Sequence, residues 1–95
     1  MFDTETNCAY DCWVKIVWDE PKRIENLGKH GVDFADIDEA FFAAAKVGAA
    51  KQGRYFAAGW LNGQPRIVFF ARLGAEAVSI ISARTPYRKE RQLIE

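Results

Sequence analysis

The sequence predicts an α+β fold in one domain, an antiparallel sheet with helices packed against it in the order β-α-α-β-β-β-α. Three observations predict it. Apolar residues alternate with polar ones in residues 13–18 and in three stretches between residues 54 and 84, as in strands with one buried face. Between residues 20 and 45 the apolar residues recur with helical spacing. The 14% aromatic content supplies large side chains for the core of a 95-residue chain.

The first two elements are a strand and a helix. Residues 13–18 read WVKIVW and predict the strand. Asp19 is placed to cap a helix, and Pro21 falls in the first turn, where its missing N–H is not needed. We expect this helix to end near His30, with Gly31 as its left-handed terminal residue.

A second helix is expected to follow at once. Asp33 can cap it, and Asp36 occupies the third position, where a carboxylate favours a helix start. The apolar residues then recur with helical spacing and predict one amphipathic helix: Phe34, Ile37, Phe41, Phe42 and Ala45. Residues 46–53, KVGAAKQG, are predicted to be a loop.

Three strands and a last helix complete the domain. The stretches 54–61 and 65–73 flank Asn62-Gly63, the favoured pair for a tight hairpin turn. A third strand over residues 76–84 follows a second tight turn. Thr85-Pro86 then supplies a cap and a first-turn proline for a basic helix.

Other features of the sequence bear on its cellular location and on metal binding. Residues 1–12 are predicted to be a flexible extension to a domain over residues 13–95, with Cys8 and Cys12 as free thiols or, alternatively, a local disulfide. No apolar run approaches the roughly 20 residues of a membrane span, and the acidic N-terminus does not resemble a signal peptide. We therefore expect a cytoplasmic protein without membrane contact. With His30 as the only histidine, we expect neither a metal site nor a cofactor.

The net charge is zero, but the charges are unevenly distributed. Residues 1–45 hold four cations against ten acids, and residues 46–95 hold nine cations against three acids. A basic second half can form one phosphate-binding face. The alternative, which charge alone favours, is that the two halves pair with each other inside the molecule.

Two separated motifs resemble the BrnT family of toxins. The first is Trp18-Asp19-Glu20-Pro21-Lys22 followed by the segment from Asn26 to Phe34, NLGKHGVDF. The second is Ile81-Ser82-Ala83-Arg84 followed by Glu90-Arg91. The resemblance covers nearly the whole domain. It implies a RelE-like fold and a metal-independent endoribonuclease that inhibits translation. It also implies neutralisation by a BrnA-like antitoxin, through which alone the toxin would reach operator DNA.

Cleavage of RNA by its own 2′-hydroxyl needs a base, an acid and cations around the phosphorus. His30 is the natural proton-transfer candidate, although it equally suits capping or the core. Arg84 is the second catalytic candidate, on a strand face with Val78, Ile80 and Ser82, and an ion pair with an acid such as Glu90 is its alternative. The resemblance adds Arg54 as the third, because family members often carry an arginine at that strand start.

Further cations and aromatic residues are available for RNA binding. Lys29, Arg88 and Arg91 are the candidates, and for the two arginines, spaced i, i+3, a solvated helix face is an equal alternative. Most aromatic residues fit the core by their periodicity. These are Phe34, Phe41, Phe56 and Phe69. For Trp60 and Tyr87 both base stacking and a structural role stay open.

The chain departs from the family pattern at three positions. Trp60 and Ser79 stand where relatives commonly have arginine, and Ile94 stands where tyrosine is frequent. Three potential phosphate or proton-transfer groups are thus missing. The alternative function is therefore a weakened or inactive member that binds an antitoxin and helps regulate transcription.

Overall fold

The computed structural model describes residues 15–74 and 77–94, which contain a five-stranded sheet and two α-helices. The expected α+β class is confirmed. The sheet order is β1-β5-β4-β3-β2. The strands are β1 (Lys15–Trp18), β2 (Lys46–Ala49), β3 (Tyr55–Leu61), β4 (Gln64–Leu73) and β5 (Ala77–Arg84), and the helices are α1 (Glu20–His30) and α2 (Glu39–Ala44).

Helix α1 ends as its sequence predicts. Pro21 lies in the first turn, and Gly31 adopts φ 70°, in the left-handed region that glycine tolerates best. The Gly31 N–H donates to the Leu27 carbonyl at 2.9 Å, which satisfies one of the last free carbonyls of the helix. Asp19 occupies the N-cap position, but its side chain makes no capping hydrogen bond.

The predicted continuous second helix is wrong. A 3₁₀ turn, Phe34–Asp36, comes first, and the Asp33 carboxylate accepts from the Ala35 N–H at 3.0 Å. The chain then restarts as α2, because the Asp38 carboxylate accepts from the Phe41 N–H at 2.9 Å. Two local caps therefore replace one helix. The residues that the helical spacing assigned to the core, Phe34, Ile37 and Phe41, are nevertheless buried.

The predicted loop over residues 46–53 contains strand β2 and a 3₁₀ turn, Lys51–Gly53. β2 pairs antiparallel with β3 at the edge of the sheet. Its Gly48 is directly opposite Phe56, and a Cβ built on Gly48 would stand 2.6 Å from the Phe56 ring. A strand of four residues at an edge, with a glycine in it, carries too little apolar alternation to be recognised from sequence.

The sheet is mixed, and the expectation of a purely antiparallel sheet was wrong. β1 pairs with β5 in parallel, from Lys15 opposite Ala77 to Trp18 opposite Ile80. The other three pairings are antiparallel. The reason is connectivity: the first strand joins the last across helices and a meander, and a connection of that length permits a parallel arrangement.

The first turn of the meander follows the prediction, but the last helix does not. Asn62 and Gly63 have φ 54° and 78°, as a tight hairpin turn of this type requires. The terminal helix is a 3₁₀ helix, Arg88–Leu93, that begins after Tyr87 rather than at Thr85. Its start is fixed by the Glu90 carboxylate, which accepts from the Tyr87 N–H at 2.8 Å.

The core lies between one face of the sheet and the segment that contains the 3₁₀ turn and α2. It is built from Val32, Phe34, Ile37, Phe41, Ala57, Leu61, Val68, Phe70, Val78, Ile80 and Ala83. Within the part of the chain that the structure describes, no helix is long and apolar enough to cross a membrane. The predicted extension over residues 1–12, with Cys8 and Cys12, lies outside the described residues.

Candidate functional site

A β-bulge in β5 determines which residues reach the outer face of the sheet, defined here as the face opposite the core. Phe69 of β4 pairs with Ser82, and the adjacent Phe70 pairs with Ile80. Ile81 is therefore an extra residue in β5. Such a residue breaks the alternation of side chains between the two faces and bends the strand locally.

The bulge corrects the predicted position of Arg84. Ala83 is 0% exposed and belongs to the core with Val78 and Ile80. The next residue, Arg84, therefore lies on the outer face together with Ser82. The prediction that Arg84 shares a face with Val78 and Ile80 was wrong, because it assumed unbroken alternation along β5.

Asn26 of α1 holds the bulged end of β5. β1 stops at Trp18, opposite Ile80, so the backbone of Ala83 has no strand on that side. The buried Asn26 amide takes its place. It accepts from the Ala83 N–H at 3.1 Å, and it donates to the Ala83 carbonyl at 2.8 Å and the Val32 carbonyl at 3.1 Å. One side chain thus satisfies three backbone groups and fixes α1 against β5.

Two depressions meet at the bulge. The first lies beside α1 and is lined by Lys22, Glu25, Asn26, Lys29, His30, Ile81 and Ser82. The second has a volume of about 520 Å³ and is lined by Ala50, Lys51, Gln52, Arg54, Phe69, Ile81 and Ser82. Ile81 and Ser82 line both, so the two depressions are neighbours, and together they are called the cleft here.

The cleft brings together cations from three separate parts of the chain. Lys22 and Lys29 come from α1, Lys51 from the 3₁₀ turn and Arg54 from the start of β3. Glu25 is an acid in the lining, and its carboxylate lies 3.6 Å from the Lys29 ammonium in an exposed pair that adds little stability. An excess of positive charge around a concave surface favours anionic ligands.

His30 and Arg54, two of the predicted catalytic residues, are in this cleft. His30 is exposed, so the core alternative for this histidine was wrong. It is the last residue of α1, where a cationic ring interacts favourably with the helix dipole. His30 can serve both at the helix end and in the proposed chemistry, because its side chain also lines the first depression.

Arg84 forms an ion pair with Glu90, which was the alternative to a catalytic role expected from the sequence. Its guanidinium donates to both Glu90 carboxylate oxygens, at 2.7 and 3.0 Å. Hydrogen bonds from Arg84 hold the pKa of the Glu90 carboxyl below its ordinary value, and the Tyr87 N–H adds to this effect. The same bonds raise the pKa of Arg84. The Arg84 side chain is only 16% exposed. Both terminal nitrogens of Arg84 are already bonded to a carboxylate.

The Arg84 guanidinium also lies over two aromatic rings. Its central carbon is 5.2 Å from the centre of the Phe69 ring and 4.1 Å from that of Tyr87. Phe69 and its strand neighbour Phe56 are half-buried and lie outside the core cluster, so the expectation that both are core residues was wrong. Phe69 instead joins the second depression to Arg84.

Arg88 and Arg91 are both exposed on the terminal 3₁₀ helix. In a 3₁₀ helix, residues three apart are aligned one above the other, so the two arginines lie on one face as the spacing predicted. The structure places them beyond Tyr87, next to the Arg84–Glu90 pair and not among the residues that line the cleft.

Comparison with known proteins gives a consistent result. The family described as the ribonuclease toxin BrnT of type II toxin–antitoxin systems matches residues 18–90. The chain belongs to the BrnT family. It is 47% identical to the Brucella abortus ribonuclease toxin BrnT in a 1.1 Å crystal structure, with a TM-score of 0.74. The match covers 79% of this chain and 99% of the Brucella chain. None of the curated proteins searched matches the chain.

Hydrogen bonds in the structure connect the two BrnT motifs. Asn26, in the first BrnT motif, is hydrogen-bonded to Ala83 in the second. Within the second motif, Arg84 is paired with Glu90. Gly31 ends α1 directly after His30. Contacts between the two motifs thus join α1 to the bulge, and α1 carries His30 and Lys29.

The departures from the family pattern lie outside the cleft lining. Trp60 is on the outer face near the hairpin, with 59% of its surface exposed. Ser79 is on β5 before the bulge, and Ile94 directly follows the last 3₁₀ helix. The residues that line the two depressions do not include these three.

Sequence reasoning missed two cations of the cleft. Lys22, Asn26 and Lys29 are spaced i, i+4, i+7, which places them on one face of α1, and this spacing could have identified Lys22. Lys51 had no such signal. Its position depends on the 3₁₀ turn after β2, in which Gln52 and Gly53 have φ 60° and 74°.

Proposed function

We propose that this BrnT-family chain is an endoribonuclease that cleaves RNA without a metal ion and thereby inhibits translation. The observation that carries the proposal is the cleft: two depressions that share Ile81 and Ser82, with cations on both sides and a single exposed histidine. A substrate with a phosphodiester backbone suits this arrangement, because successive phosphates can contact cations on each side while the sugar lies over the bulge.

In the proposed reaction the RNA attacks itself. A base takes the proton of the 2′-hydroxyl, O2′ forms a bond to phosphorus, the bond from phosphorus to O5′ breaks, and an acid gives a proton to the leaving O5′. The products are a 2′,3′-cyclic phosphate and a 5′-hydroxyl. His30 is one of the two proton-transfer groups, because its exposed imidazole lines the first depression and its ring nitrogens can accept or donate a proton. Arg54, with Lys51 and Lys22, stabilises the extra negative charge on the phosphorane.

Arg84 has a different role in this proposal. Both of its terminal nitrogens are bonded to Glu90, and its guanidinium lies over Phe69, which lines the second depression. We therefore assign Arg84 as a positioning residue that shapes the cleft through Phe69. Lys29 binds RNA at the first depression, and Arg88 and Arg91 bind RNA beyond Tyr87.

The partners in this proposal follow from family membership. A BrnA-like antitoxin neutralises the toxin in the cytoplasm, and the complex contacts operator DNA only through the antitoxin. A RelE-like relation of the fold is part of the same proposal. The supporting observation is that this chain is a member of a family of type II toxin–antitoxin systems.

A second candidate function is a catalytically weakened member that keeps only antitoxin binding and transcriptional regulation. The specific observation in its favour is the engagement of Arg84 by Glu90 at 2.7 Å, together with the missing arginines at Trp60 and Ser79. The two candidates differ in one measurable property, which is whether the purified protein cuts RNA.

The test is cleavage of a defined oligoribonucleotide by the purified full chain, with and without a metal chelator. We expect products ending in a 2′,3′-cyclic phosphate at rates that the chelator leaves unchanged. His30→Gln and Arg54→Ala should each slow cleavage by about 100-fold or more. Arg72→Ala is the matched control, since Arg72 is an exposed arginine of the same sheet that does not line the cleft.

The outcomes separate the candidates. Intact RNA after prolonged incubation with the wild-type protein, combined with co-purification with the antitoxin, establishes the second candidate and rules out the first. Loss of cleavage on adding the chelator contradicts metal independence. Equal rates for Arg54→Ala and Arg72→Ala contradict the assignment of the cleft.

A further inference from the structure

Tyr87 is unusually exposed for an aromatic residue held so firmly. It is 66% exposed, the largest fraction among the exposed large hydrophobic side chains of the described residues. It is also one of the two aromatic residues for which the sequence left stacking and structural roles open. The cleft lining does not include it. Its exposed ring therefore has no role in the chemistry assigned above.

The Tyr87 ring is held in place by contacts with Arg84 and Glu90. The Arg84 guanidinium lies over it at 4.1 Å, and that guanidinium is itself held by two hydrogen bonds to Glu90. The Tyr87 backbone N–H donates to the same carboxylate at 2.8 Å. Because one face of the ring packs against Arg84 while most of the residue is exposed, the opposite face is open to solvent. An aromatic ring fixed in this way binds a planar ligand with little loss of conformational entropy.

The charge around Tyr87 selects the kind of planar ligand. Arg88, Lys89 and Arg91 are exposed and follow it directly, whereas the one acid of this segment, Glu90, is paired with Arg84. A stacked ring next to several exposed cations suits a base whose flanking phosphates need neutralising. The stack is also joined to the cleft, because Arg84 lies over both Tyr87 and Phe69.

We propose that Tyr87 is a stacking platform for one unpaired RNA base, held at a fixed position relative to the cleft by Phe69 and Arg84. This inference rests on the proposed function and adds a specificity-determining residue to it. The ligand chemistry is a single-stranded RNA base, flanked by phosphates that Arg88, Lys89 and Arg91 contact. Stacking of this kind is tolerant of base identity but requires an unpaired nucleotide, so the site selects single-stranded RNA near the cut.

The test measures affinity for a single-stranded oligonucleotide with 2′-O-methyl sugars, which self-cleavage cannot cut. We expect Tyr87→Leu to weaken binding about tenfold and Tyr87→Phe to leave it within about twofold, because the ring carries the interaction. Trp60→Leu is the matched control, since it removes the other largely exposed aromatic side chain of the described residues. Thermal unfolding of each variant checks that the fold is kept.

A second measurement leaves the protein unchanged. Abasic nucleotides are placed one at a time along the oligonucleotide, and one position should weaken binding to the wild-type protein about tenfold. The same abasic position should have no further effect on Tyr87→Leu, because the two changes remove one contact.

The possible results separate failure of the stacking inference from failure of the proposed function. Wild-type binding by Tyr87→Leu, or an additive loss with every abasic position, overturns the stacking inference while the proposed ribonuclease stands. Unchanged RNA binding with loss of antitoxin co-purification assigns the ring to a protein interface and also overturns it. Failure of the wild-type protein to bind or cut RNA overturns the proposed function itself.

Discussion

Replacing Asn26 tests the contact on which the geometry of the cleft depends. Asn26→Ala removes the partner of three backbone groups: the N–H and carbonyl of Ala83 and the carbonyl of Val32. A buried polar group left without a partner costs about 1–3 kcal/mol. Because Asn26 borders the first depression, water can reach part of the vacated space, so we take the lower end for each group. We therefore expect the free energy of unfolding to fall by about 3 kcal/mol.

The assay is urea unfolding followed by tryptophan fluorescence and by circular dichroism. With a slope of about 1.5 kcal/mol per molar urea, a loss of this size lowers the midpoint by about 2 M. Gln92→Ala is the control, because Gln92 is an exposed amide side chain on the last 3₁₀ helix and its loss should shift the midpoint very little.

Asn26→Asp distinguishes the donor from the acceptor role. The introduced carboxylate can still accept from the Ala83 N–H, but it faces two carbonyl oxygens to which Asn26 donated. Burial near those oxygens raises the pKa of the introduced carboxyl in the folded state, so its penalty is present at neutral pH and declines as the pH falls. A midpoint shift below about 0.5 M for Asn26→Ala, or wild-type stability of Asn26→Asp at pH 7, would refute the reasoning.

Two further substitutions test local features. Glu90→Gln should lower the free energy of unfolding by about 1–2 kcal/mol at pH 7, because the hydrogen bonds from Arg84 are to a charged carboxylate. Because the folded pKa of Glu90 is depressed, this contribution to stability is present above the unfolded pKa and is lost as the pH falls through the folded pKa. The urea midpoints of variant and wild type should therefore converge in acid. A difference between the midpoints that stays constant across pH contradicts this explanation. Gly48→Ala should lower the free energy of unfolding by about 1–3 kcal/mol, because the new Cβ would stand 2.6 Å from the Phe56 ring. In a double-mutant cycle measured by thermal unfolding, Phe56→Leu should recover part of this loss. No recovery would argue against the clash.

Features determined by neighbouring residues were predictable from the sequence. The Asn62-Gly63 turn and the end of α1 at Gly31 are set by backbone preferences of the residues themselves, and both occur as expected. Burial of Phe34 and Phe41 also followed from spacing. The break before α2 was missed although it is local, because the regular apolar spacing outweighed Asp38 as a second cap.

Features determined by distant residues were not predictable. Ile81 is apolar and suits either face, so nothing in the sequence of β5 distinguishes a bulge from regular alternation. The structural role of Asn26 depends on Ala83, 57 residues away. The pairing of Arg84 with Glu90 was foreseen as an alternative because these residues are close in sequence, whereas the approach of Lys51 to the bulge required the fold itself.

The parallel pairing of β1 with β5 has a consequence for how the chain reaches its native state. On the ribosome, β1 emerges before its neighbour in the sheet exists, and it must wait for more than half of the chain to be synthesised. Contacts between such distant segments slow folding, since the ends of a long loop must be brought together first. The meander of β2, β3 and β4 can assemble earlier from local contacts. The cleft is complete only when β5 arrives and Asn26 engages it, so translation that stops before β5 yields a chain without the site.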